Sequence, residues 1–449
     1  MKGEAEASRI EPRLSVLDTA MVVVSLVIGI GIFRTPALVA RDTGSYGRFL
    51  AAWAIGGLAS LVGALVFAEI GSRYPRAGGY YKVVAHCWHP MVAFLLNWAQ
   101  VLMQGAGAAG VALIGSEYLL RLVGRDEPAG AAPVAVAALL VSGLTALNAA
   151  GIRAGARAQN LLSLSKIVLI AGLAFAGLAL APGLHERGDA GEAPGAPPAG
   201  MLGALVAVFY AYGGYQNSMN LAGDLREARR NLPLSISAGM AIVTALYLAI
   251  NTAYIRALGP AGVAASPLVA ADLARVALGA AGEMFVSLAI FLSAAGFVNA
   301  TILHVPRSYL AMAEDGLLPP SLGRLSPRTG AQLGGLAFFA ATALAPLLLL
   351  GAFDKLLAYV MFTDALSLAA LASCLFILRR RGEGNEAEGT WRMPFYPWLP
   401  AAFVLVLFGL AGDLAVRQTR LALAGAGIVV AGIPLYFLMT RSWGRKNND

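Results

Sequence analysis

Apolar runs of about 20 residues recur along nearly the whole chain, separated by short polar or basic stretches. A helix of that length matches the hydrocarbon core of a bilayer. Inside lipid every backbone N–H and C=O must be paired internally, so a chain built of such runs folds as a bundle of helices. Only 13% of the residues are charged, against about a quarter in soluble domains. The reading is an all-α polytopic membrane protein. Twelve spans are expected, at about 16–40, 46–71, 87–121, 131–150, 158–181, 200–224, 235–258, 281–313, 331–350, 353–378, 396–414 and 421–440. Residues 1–15 are polar and mixed in charge, and the first apolar run is a full span, so no cleavable leader is expected.

The net charge of +8 does not point to nucleic acid, because the basic residues crowd the loops between spans. On the amino-terminal side they outnumber those on the opposite side by about two to one. The positive-inside rule then puts both termini in the cytoplasm, with the chain in the inner (plasma) membrane. The expected organisation is a cytoplasmic segment 1–15, a first repeat 16–181, an extracellular Pro/Gly/Ala-rich loop 182–200 and a second repeat 201–378. A cytoplasmic loop 379–395, two further spans in 396–440 and a cytoplasmic tail 441–449 complete it. Two cysteines, Cys87 and Cys374, make neither a disulfide framework nor a metal site. His86, Cys87 and His89 lack further ligands for a metal. No cofactor is expected.

The first span is interrupted. In 22–40, VVVSLVIGIGIFRTPALVA, apolar residues give way to Gly29-Ile30-Gly31 and then Thr35-Pro36. Each glycine weakens a helix interior by about 1 kcal/mol. Thr35 and Pro36 fit a restart, as cap and first-turn residue. A packing kink is the plainer reading, since glycine is common in membrane helices. The sixth span carries a second interruption, Tyr210-Ala211-Tyr212-Gly213-Gly214-Tyr215-Gln216-Asn217. Breaks in spans one and six fit a five-plus-five inverted repeat whose discontinuous helices meet at mid-membrane. Free amides near Gly29–Gly31 suit a carboxylate, helped by the dipole of the restarted helix. Carbonyls of Tyr210, Ala211 and Gly213 suit an ammonium. Together they suit an α-amino acid. Tyr210, Tyr212 and Tyr215 are candidate walls or lids, or bundle packing.

These segments resemble the amino acid–polyamine–organocation superfamily, closest to L-type-like and bacterial amino-acid permeases. The resemblance rests on GIGIF (29–33) with Pro36, FAEIGSRYPRAGGYY (67–81), QNLLSLSK (159–166), YAYGGYQN (210–217) with GDLREARRNLP (223–233), PRSYLAMAEDGLLP (306–319), MFTDALS (361–367) with FILRRR (376–381), and WRMPFYPWLP (391–400). It implies the LeuT-like fold, ten core helices plus two, and alternating access. It implies that a substrate carboxylate meets the backbone near Val27, Ile30 and Gly31, and an amine the backbone of Tyr210, Ala211 and Gly213. Tyr210 matches an aromatic gate that is often Phe; Tyr215 stands where Trp is usual, and Ile30 where Ser is common. Animal L-type members pair with a glycoprotein through a cysteine after span three. The loop 122–132 has none here, so no disulfide-linked partner is implied.

Of the charges that fall within spans, Lys166 and Asp364 stand out. Lys166 either snorkels to the cytoplasmic face or acts beside the span-one break. In the second case its ammonium replaces a sodium ion, donating to span-one carbonyls and to a span-eight hydroxyl such as Ser293, or it couples transport to protons. The resemblance supports the tethered cation and implies sodium-independent transport. Asp364 in span ten is a candidate for the substrate amine, for a proton, or for a structural hydrogen bond. Glu69, Arg73, Asp224 and Arg307 end spans on the cytoplasmic side and are candidates for an inner gate. The function expected is secondary transport of amino acids, by exchange or proton coupling. A polyamine carrier is the alternative within transport. An enzyme is disfavoured by the lack of a His/Asp/Glu cluster, and ATP-driven transport by the lack of a P-loop.

Overall fold

The structure, a computed structural model, describes residues 16–29, 31–75, 79–123, 130–150, 152–181, 200–225, 227–350, 353–385, 387, 389–417 and 419–443. Its helices are α1 Val16–Val27, α2 Gly31–Thr43, α3 Tyr46–Arg73, α4 Gly79–Cys87, α5 Pro90–Leu122, α6 Ala131–Ala150, α7 Ile152–Ala179 and α8 Gly200–Ala211. A 3-10 segment Tyr215–Asp224 follows, and then α9 Ala228–Ala265, α10 Val269–Glu314, α11 Pro320–Gly323, α12 Leu333–Leu350, α13 Phe353–Arg380, α14 Trp398–Arg417 and α15 Thr419–Trp443. No strand occurs among the described residues. Among the described residues six helices are long and apolar enough to cross a membrane, and α1 with α2 make a seventh if the bent pair is one span. Shorter apolar stretches occupy Leu164–Ala179, Leu333–Leu349 and Gly425–Thr440. The chain is a polytopic membrane protein. The segments 1–15 and 182–199 lie outside the described residues, as do 444–449 of the tail.

Local chemistry sets several boundaries. α5 begins at Pro90, where a missing amide costs nothing, and the His89 ring Nδ1 accepts from Met91 N at 3.1 Å. Cys87, which the sequence reading joined to this span, instead ends the short helix α4. α9 and α10 each bend at a glycine of positive φ, Gly259 (71°) and Gly279 (74°). The restart of the first span also differs from the expectation. α2 begins at Gly31, so Thr35 and Pro36 lie inside it and Thr35 is no cap. The start lies about a turn earlier than that, at a glycine whose backbone runs close to Ala211 of α8.

The two interrupted spans run against each other. α1 packs on the 3-10 segment and α2 packs on α8, so first half meets second half and the spans are antiparallel. Around them α3 packs on α9, α5 on α10 and α6 on α12. At the crossing the backbones touch. A Cβ on Gly31 would lie 3.1 Å from Ala211 Cα. Gly214 has φ 115°, and a Cβ there would lie 2.4 Å from Leu26 O. Only glycine combines that dihedral with that approach. Gly214→Ala is therefore expected to cost at least about 2 kcal/mol, read as a lower thermal midpoint in detergent. Gly143→Ala, where an added Cβ meets nothing within 4 Å, should leave the midpoint unchanged or raised.

Candidate functional site

α1 stops at Val27 and α2 leaves at 46° to it after a short gap. Gly29 N turns back onto Val27 O at 2.7 Å, so the Gly29 amide expected to be free is paired, and two other helices add donors to the carbonyls of the break. Tyr247 Oη on α9 donates to Val27 O at 3.2 Å. Lys166 Nζ on α7 donates to Ile28 O at 3.2 Å, and sits 5.8 Å from the centre of the Phe297 ring. Lys166 is 1% exposed. Its ammonium is therefore anchored at the break and does not snorkel. Ser293 is buried on α10, but among the described contacts of Lys166 none is to Ser293. The first amides of α2, beginning with Gly31, have no helical carbonyl four residues back. α8 ends at Ala211, where Gly213 N turns back onto Tyr210 O at 3.0 Å. Gln216 Oε1 accepts from Gly214 N at 3.0 Å and closes the turn.

A cavity of about 100 Å³ lies against both breaks. Val27, Gly29, Gly31, Tyr210, Ala211, Gly213 and Asp364 all line it. Ile30 lies outside the described residues. Tyr215 and Tyr212 do not line it. Tyr215 is buried with its ring 5.8 Å from that of Phe67, and Tyr212 is buried with its ring 4.9 Å from that of Tyr247. Asp364 accepts from Gln100 Nε2 at 2.8 Å. Asn217 of the second interruption also lines the cavity, as do Gln100, Gln104, Thr301 and His304, which escaped the sequence reading. A signal existed for two of them: Asn97, Gln100 and Gln104 form a polar stripe at helical spacing on an otherwise apolar α5.

The carboxylate of Glu69 is fully buried at the end of α3. Arg73 Nε reaches Oε1 at 2.6 Å, and Arg379 spans both oxygens at 2.8 and 2.7 Å. Met393 N donates to Oε2 at 2.9 Å. Arg73 also donates to Glu383 O and Asn385 Oδ1. α3, α13 and the segment that follows α13 are thus bound at one end of the bundle. Of the other gate candidates, the side chain of Asp224 lies outside the described residues. Arg307 is exposed on α10, and Arg379 rather than Arg307 pairs with Glu69. At the opposite end Arg121 pairs with Asp272 at 2.9 Å and Glu283 at 2.7 Å.

With this geometry in place, the family can be stated. The sequence profile described as "Amino acid permease" matches residues 14–433. The chain belongs to the amino acid permease family. It is 27% identical over 444 residues to the serine/threonine exchanger SteT of Bacillus subtilis (strain 168), covering 97% of this chain and 98% of that protein. It is 28% identical over 440 residues to large neutral amino acids transporter small subunit 2 of Homo sapiens, covering 96% and 80%. It is 25% identical over 454 residues to b(0,+)-type amino acid transporter 1 of Homo sapiens, covering 99% and 91%. This permease is a transporter and not an enzyme. Removing Arg379 leaves a buried carboxylate short of its bidentate partner. Arg379→Gln is expected to cost about 3 kcal/mol, checked by thermal unfolding in detergent.

Proposed function

We propose that this permease moves α-amino acids across the membrane by alternating access, without sodium. The carrying observation is the single cavity lined at once by the end of α1, the start of α2 and the end of α8. Free amides and the positive end of the α2 dipole suit the carboxylate near Gly31. Carbonyls of Tyr210, Ala211 and Gly213 suit the α-ammonium. Both recognitions use backbone, so they define an amino acid and leave the choice of side chain to the walls. The Lys166 ammonium occupies the carbonyl position where a sodium ion would otherwise bridge the break, which supports sodium independence.

The architecture proposed is twelve spans in a LeuT-like five-plus-five inverted repeat, 16–181 and 201–378, with two further spans in 396–440. The packing of α3 on α9, α5 on α10 and α6 on α12 supports it, because these are equivalent spans of the two repeats. We place both termini in the cytoplasm and the protein in the plasma membrane, on the loop-charge bias. We assign Glu69 and Arg73, with Asp224 and Arg307, to the cytoplasmic gate; the buried pairing of Glu69 with Arg73 supports it. No disulfide-linked ancillary subunit is proposed, since 122–132 holds no cysteine. Asp364 in the cavity favours one second reading, an organic amine that lacks the carboxylate.

Purified protein in proteoliposomes should take up a labelled amino acid in exchange for internal amino acid, at equal rates in sodium and choline media. The decarboxylated amine of the same substrate should compete at least tenfold less well, by the loss of a charge-assisted contact. Equal competition would favour the second reading. Lys166→Ala should lower uptake by tenfold or more while the protein still inserts, because it strips a charged donor from the break. Wild-type transport in that variant would remove Lys166 from the mechanism.

A further inference from the structure

Beyond the broken helices, three residues that line the cavity, Thr301 and His304 on α10 and Asp364 on α13, present acceptors. Thr301 Oγ donates its only proton to Phe297 O at 2.9 Å, which leaves its lone pairs available. His304 Nδ1 lies 2.8 Å from Ala300 O. That carbonyl can only accept, so Nδ1 carries the proton, and in the neutral ring Nε2 is an acceptor. Nε2 is buried and has no partner among the described residues. Asp364 adds a carboxylate whose described partner is a neutral amide, Gln100 Nε2 at 2.8 Å. No lysine or arginine lines the cavity among the described residues. A smaller cavity of about 10 Å³ continues from it past Gln104, His304 and Ser308. The side-chain amides of Gln100, Gln104 and Asn217 also reach this space, but the one ionised side chain in the described lining is the carboxylate of Asp364, and the space extends along α10.

Resting on the amino-acid reading above, we propose that Thr301, His304 and Asp364 form a side-chain subsite for a cationic, donor-rich group, an ammonium or a guanidinium. A desolvated carboxylate with one neutral partner is costly in the membrane, and a substrate cation relieves that cost. His304 Nε2 then gains the donor it lacks. An aliphatic side chain in the same space leaves both groups unanswered, which is the strongest form of discrimination a polar site offers. A neutral side chain that still bears donors answers His304 but not the charge of Asp364.

The test is competition against a labelled substrate in proteoliposomes by arginine, citrulline and norleucine, which share the α-amino acid group. Citrulline keeps the donors of arginine without its charge, and norleucine has neither. The expected order is arginine, citrulline, norleucine, with at least about tenfold between the first and the last. Asp364→Asn should shrink the arginine-to-citrulline ratio towards one, and His304→Phe should shrink the citrulline-to-norleucine ratio. The wild-type ligand series needs no variant, so a poorly folding mutant does not decide the matter. Equal competition by all three would overturn the subsite and leave amino-acid transport standing. Competition by none, together with no uptake of any labelled amino acid, would overturn both.

Discussion

A backbone group inside a bilayer has no water to turn to. That constraint governs this molecule at the gap between α1 and α2, where the helical ladder stops and its carbonyls need donors from elsewhere. Two side chains from different helices supply them. The Tyr247 hydroxyl takes Val27 O and the Lys166 ammonium takes Ile28 O. The interruption is thereby a built feature and not a frayed helix. Gly214 completes it, since its left-handed dihedral lets the second broken span cross against Leu26 without a side chain between them.

The remaining architecture distributes charge away from this centre. Glu69 with Arg73 and Arg379 binds α3 to α13 at one end of the bundle. Arg121 with Asp272 and Glu283 binds α5 to α10 at the other. A buried carboxylate held by two arginines at one end, and an arginine shared by two carboxylates at the other, are costly to separate, so each cluster favours one arrangement of helices over intermediates. The cavity lies between the ends, beside the paired helix termini.

Much of this was legible in the sequence, for physical reasons specific to each residue. The breaks were visible because glycine and proline are poor helix formers and stand out in an apolar run. Lys166 was visible because a charge in such a run has few explanations. Tyr212 and Tyr215 were not assignable. Rotation about a helix axis is lost at a break, and the turn at Gly214 aims both rings into the bundle instead of the cavity. Thr301 and His304 were hidden for another reason: single neutral polar residues interrupt hydropathy too weakly to mark a face. The restart falls at Gly31, ahead of Thr35 and Pro36, where the backbone runs close to Ala211, a tertiary proximity that local propensity does not carry.

The account stands on the two helix ends acting together on one solute. An experimental structure of the protein with an amino acid bound tests that most directly. The account predicts ligand density between Gly31 and Ala211, its carboxylate on the first amides of α2 and its amine on the last carbonyls of α8. A ligand held elsewhere, or a first span running unbroken through Gly29 and Gly31, would contradict it.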